Sequence, residues 1–217
     1  AVATGDNPGA PEKSNLEITG LNQKLAVLLG ASAAEIQVND LAVNPESGNI
    51  YLSVSQGDKP AIVRIDSSGK LSQLSLKKIA FSKAQLPNPP ADKVTGEGRR
   101  ARNNRADSIT DLAFVDGSVL VQGLTAADSP SSVRSMAFPF NDQDTGASIE
   151  IYHAAHGKVE DYSPARTFVA FNINGEPNLL AGFTCTPLVK FPINSLKSGE
   201  KVRGTTVAEL GNRNRPL

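Results

Sequence analysis

One cysteine in 217 residues leaves no partner for an intrachain disulfide and excludes every multi-cysteine zinc or iron–sulfur site. Tryptophan is absent, and eight Phe with three Tyr supply little for a carbohydrate site built on aromatic faces. Charge of one sign is missing as well. The 22 basic and 22 acidic side chains cancel, so no surface-wide field draws nucleic acid to the chain. No apolar run approaches the ~18 residues of a membrane helix, so no membrane span is expected. What is present, 39% hydrophobic and 20% charged, is the balance of a folded chain rather than a disordered one. The length suits one large domain or two small ones.

The sequence begins Ala1-Val2-Ala3-Thr4 without an initiator Met. A processed export signal and a trimmed chain both fit that start, and the first makes a periplasmic or secreted location the expectation. Residues 1–14 hold Gly5, Pro8, Gly9 and Pro11 and read as an extended arm with nothing apolar to anchor it. Leu21, Leu25, Leu28 and Leu29 fall on one face of a helix. Gly30 follows, where a left-handed cap suits glycine. Ser32-Ala33-Ala34-Glu35 has capping-box spacing and predicts a further short turn. Residues 1–35 therefore form an arm and a short helix.

From Ile36 the period changes to that of strands. Val38–Val43, Ile50–Ser55, Ala61–Ile65 and Leu71–Leu76 alternate with turns at Asn44–Asn49, Gln56–Asp58 and Asp66–Gly69. Four strands in about forty residues, each stopped by Gly, Pro, Asn or Asp, predict an antiparallel meander. The unit recurs. Ile109-Thr110-Asp111-Leu112-Ala113-Phe114 echoes Val38–Val43, and Asp116-Gly117 leads to Ser118–Gly123, with Val133–Phe140 and Ala147–Tyr152 as later strands. A third copy runs through Thr167–Phe171, Asn178–Thr184, Leu188–Phe191 and Arg203–Leu210. Asp40 and Asp111 occupy matching positions, either facing a channel or bonding loop amides.

The stretch Asp40-Leu41-Ala42-Val43-x-Pro45-x-Ser47-Gly48-Asn49-Ile50-Tyr51 resembles the blade motif of NHL-type and YVTN-type β-propellers. The resemblance covers residues 36–76 well, and 108–152 and 166–210 loosely. It implies an all-β fold of four-stranded, propeller-like meanders, about three blades in an incomplete ring spanning 36–217. Propellers close with ~4–8 blades, and closure is what removes their exposed edges. The expected partner is therefore another polypeptide or a second copy that completes the ring, and the expected role is a non-catalytic scaffold or binding subunit. A β-sandwich of similar strand count is the competing architecture.

Several features can carry chemistry. Residues 80–107 form a long polar insertion, in which Arg99, Arg100, Arg102 and Arg105 make a patch for an anionic ligand or acidic partner. Within it, Gly96-Glu97-Gly98-Arg99-Arg100-Ala101 has dinucleotide-loop spacing, but a Pro-rich loop precedes it where a strand is required. His153 and His156 are the only histidines, with Glu150, Glu160 and Asp161 nearby. In a helical turn they face together and can share a divalent metal, whereas along a strand they point to opposite faces. No cofactor is otherwise expected. Cys185 with these histidines and Met136 completes the ligand types of blue copper, in an order unlike that of cupredoxins. Asp142–Gly146 opens like a calcium loop but lacks its later acids. A metal-assisted hydrolase or an oxidoreductase subunit is the alternative function.

Overall fold

A computed structural model describes residues 1–7, 9, 16–98, 101–140, 144–184 and 187–211. Strands make up 46% of the structure, against a single α-helix among the described residues, which makes the class all-β. No helix among the described residues is long and apolar enough to cross a membrane. The chain forms two compact units, Ala1–Ser82 and Lys83–Leu217.

The first unit is a helix on a four-stranded antiparallel sheet. α1 spans Leu21–Leu29 and ends at Gly30, whose φ of 68° is the left-handed cap that its lack of a Cβ permits. Glu35 then reaches back to accept both the amide (2.9 Å) and the hydroxyl (2.8 Å) of Ser32. The strands follow in sequence order: β1 Ile36–Val43, β2 Ile50–Gln56, β3 Lys59–Ile65 and β4 Leu71–Gln73. Their period of two puts Leu52, Val54, Val63 and Ile65 in a core with Leu25 and Ala26 of α1. Each fully buried Leu or Val there contributes roughly 1.5–3 kcal/mol.

The N-terminal arm is anchored by polar chemistry. Asp6 accepts hydrogen bonds from the side chains of Asn44 (3.0 Å), Ser47 (2.6 Å), Asn49 (2.8 Å) and Tyr51 (2.8 Å), and Arg64 lies 3.5 Å away. Val2 bridges Phe81, so both ends of this unit are tied together.

The second unit holds a small hairpin and two larger sheets. The hairpin, β5 Val94–Thr95 with β6 Arg102–Asn103, lies within the insertion. Next come β7 Asp111–Val115, β8 Ser118–Leu124, β9 Ser131–Ala137, β10 Ala147–His153 and β11 Lys158–Glu160, ordered β11-β10-β9-β8-β7. The last sheet contains β12 Ala165–Ile173, β13 Glu176–Phe183, β14 Pro187–Pro192 and β16 Thr205–Glu209. Asp116-Gly117 and Asn174-Gly175 each have two positive φ values, as two-residue type I′ hairpins require. Leu120, Val133, Ile149, Phe168, Leu179 and Phe191 belong to one core shared by both larger sheets.

The expected last strand, Arg203–Leu210, is divided. β15, Lys201–Arg203, runs parallel to β10, while β16 pairs with β14. Gly204 makes the switch: a Cβ there would collide with Val189 and Phe191, and its amide donates to the Glu150 carbonyl. The second sheet thus has six strands where the repeat predicted four. Among the described residues the strand orders close no ring. Asp40 and Asp111 bond amides: each accepts the N–H of the next residue, at 2.7 and 2.8 Å. Asp111 also accepts the Phe168 amide at 2.7 Å, which ties β12 to β7.

Candidate metal centre

The connection from β10 to β11 is short. Residues Ala154–His156 make one 3-10 turn, and Gly157 reverses the chain at φ 64°. Register then pairs His153 with Lys158 and Ile151 with Glu160. Alternation along β10 turns Ala147, Ile149, Ile151 and His153 inward, and Glu160 shares the face of Ile151. The 3-10 turn has three residues per turn, so i and i+3 eclipse. The two imidazoles consequently stand 3.9 Å apart between centroids. Residue 153 ends a strand and residue 156 ends a turn, a combination of the two geometries open in the sequence.

Glu160 lies between the two rings. Its carboxylate meets His153 Nδ1 at 2.9 Å and His156 Nδ1 at 2.7 Å. The Lys158 ammonium is 3.6 Å away. His153 and Glu160 are buried, whereas the His156 side chain is 48% exposed, so the cluster opens to solvent on that side. Burial pushes the Glu160 carboxyl up, but hydrogen bonds from His153, Tyr162 and His156, with the charge of His153, outweigh it and hold the pKa at about 2.

One ligand atom from each of His153, His156 and Glu160 can be chosen so that all lie within 4.8 Å of one another. Ligand atoms on a tetrahedral zinc, at bonds of about 2.0–2.2 Å, stand roughly 3.3–3.5 Å apart. Imidazole nitrogen and carboxylate oxygen suit zinc and other borderline divalent ions.

Of the three acids near the histidines in sequence, only Glu160 joins them. Glu150 pairs with Arg203 at 2.6 Å, and Asp161 with Lys201 at 2.7 Å. Met136 is a buried β9 side chain, and Asp144 accepts the amides of Ser135 and Gly146 at 2.6 and 2.8 Å, a turn role. Cys185, Asp142 and Gln143 lie outside the described residues. In the arginine patch, Arg102 and Arg105 are exposed, and Arg105 donates to the Pro90 carbonyl at 3.0 Å. Arg99 and Arg100 lie outside the described residues. Gly96 and Gly98 belong to the small hairpin region, without the strand-then-helix setting of a dinucleotide loop.

Compared with family models, with curated proteins and with solved structures, the chain matches none of them.

Proposed function

We propose that this protein is a blade-repeat β-scaffold whose chemical device is a divalent-metal site formed by His153, His156 and Glu160. The observation that carries the reading is the convergence of three ligand atoms within 4.8 Å on one tight turn. A metal would take the place of the hydrogen bonds between the two Nδ1 atoms and the carboxylate. The Lys158 ammonium would swing away, its place beside Glu160 taken by the cation. The scaffold part of the reading rests on the repeats. Each of the three larger sheets has an edge strand that leaves apolar side chains in water: Leu41 and Val43 on β1, Leu112 and Phe114 on β7, Val169 and Phe171 on β12. Another polypeptide or a second copy that completes the array would cover such strands.

Calorimetric titration of the metal-stripped chain with Zn²⁺ at neutral pH tests the metal reading. One ion per chain is expected, with affinity reduced at least roughly tenfold in His156→Ala, whose exposed ring is the replaceable ligand. No stoichiometric binding, or binding unchanged in that variant, overturns it. The solvent-facing His156 also favours a second reading, a metal-assisted hydrolase, because three protein ligands leave a position for water.

A further inference from the structure

Four donors surround the Glu160 carboxylate. His153 Nδ1 meets Oε2 at 2.9 Å, His156 Nδ1 meets Oε1 at 2.7 Å, and the Lys158 ammonium stands 3.6 Å from Oε1. The fourth is the Tyr162 hydroxyl, which donates to the same carboxylate. Tyr162 follows Glu160 by two positions, the interval at which an extended chain returns to one face.

A divalent ion would displace three of these donors. It takes the two imidazole nitrogens for itself, and its charge replaces that of Lys158. The Lys158 side chain is exposed, and its Nζ already lies 5.8 Å from the centroid of the Tyr162 ring, a cation–π contact it can keep on leaving Glu160. The tyrosine hydroxyl is neutral and has no such reason to move. Its backbone is also pinned on both sides. The Asp161 carbonyl accepts the Ser131 amide at 2.9 Å, and the Ser163 carbonyl accepts the Ser131 hydroxyl at 2.9 Å. The Asp161 carboxylate takes Ser129 and Lys201, each at 2.7 Å.

A carboxylate can bind an ion through one oxygen or through both. A hydroxyl fixed on one oxygen leaves the other for the ion. Ligating carboxylates are commonly held this way by an outer hydrogen bond. With Glu160 using one oxygen, the two imidazoles and the carboxylate supply three ligands, and a fourth position remains.

Resting on the metal reading above, we propose that Tyr162 is the positioning residue of that site: its hydroxyl holds one Glu160 oxygen, so the carboxylate ligates the ion through the other alone and a coordination position stays open for water or substrate.

The test compares the full chain with Tyr162→Phe, which removes one hydroxyl from a partly exposed side chain and keeps the ring. Calorimetry reads the Zn²⁺ affinity, and the visible spectrum of Co²⁺ placed in the same site reads its geometry. The variant should still take one ion per chain, with affinity lower by roughly 10–100-fold. Its Co²⁺ absorption should be weaker, because a carboxylate released to use both oxygens raises the coordination number. A hydroxyl with a purely structural role would lower the melting temperature of the metal-free chain and leave the Co²⁺ spectrum unchanged. An unchanged spectrum overturns the proposal, as does a Zn²⁺ affinity within about threefold of the parent. If the parent itself takes up no Zn²⁺, the metal reading falls and this proposal with it. If the parent binds and His156→Ala weakens the binding while Tyr162→Phe does not, the proposal alone falls.

Discussion

Replacing Asp6 with alanine tests whether the arm is part of the first unit or merely lies beside it. The carboxylate is 4% exposed and takes four neutral donors, with Arg64 at 3.5 Å. Burial raises its pKa, but the bonds from Ser47, Tyr51, Asn49 and Asn44 together lower it from 3.8 to about 2. A depression of that size corresponds to about 2 kcal/mol of preference for the ionised form in the folded state. Because the folded pKa is depressed, that stabilisation is complete above the unfolded pKa near 3.8 and disappears as pH falls through about 2. Asp6→Ala should therefore cost about 2 kcal/mol at pH 7, and the gap between variant and parent should close in acid. Amide hydrogen exchange at β1–β3 in a urea series reads this unit separately from the second. A loss under about 0.5 kcal/mol at pH 7, or a gap that does not narrow on acidification, refutes the reasoning.

The second unit has its own acid-labile group. Glu160 is held at about 2 against an ordinary 4.5, so its contribution, on the order of 3 kcal/mol, is present above about 4.5 and is lost toward pH 2. Glu160→Gln should lower the melting temperature near neutrality and converge with the parent in acid, as a pH series of melts would record. Gly204→Ala places a methyl group against Val189 and Phe191 and should cost about 1–3 kcal/mol, with faster amide exchange in both β15 and β16.

Local signals in the sequence carried the strands. Alternation between Ile50 and Ile65, the Asp116-Gly117 and Asn174-Gly175 turns and the leucine face of α1 are each complete within a few residues, so they read directly. Asp6 was illegible because its partners lie 38 to 45 positions away and belong to a turn whose own chemistry explains it without an arm. An arm lacking apolar anchors looked loose, yet a carboxylate can anchor through hydrogen bonds alone. The histidines were visible as a pair, but choosing Glu160 over Glu150 and Asp161 required the hairpin register, which depends on a single 3-10 turn. Arg134, a fully buried β9 side chain, was hidden for a different reason. A lone arginine between Val133 and Ser135 reads as an ordinary solvent-facing strand position, and nothing local announces that the face is covered.

The switch at Gly204 gives the second unit a timetable. β10 receives β15 and β14 receives β16 from one nine-residue stretch, and Arg203 meets Glu150 across 53 positions of chain. On a ribosome adding ~5–20 residues per second, roughly 3–11 s pass between synthesis of the end of β10 and that of β16. Through that interval β10 waits with an open edge, joined by β14 once Pro192 is made, the state in which strands pair with the wrong neighbour. A single glycine then delivers both missing strands almost together, so the two sheets finish as one event rather than in succession.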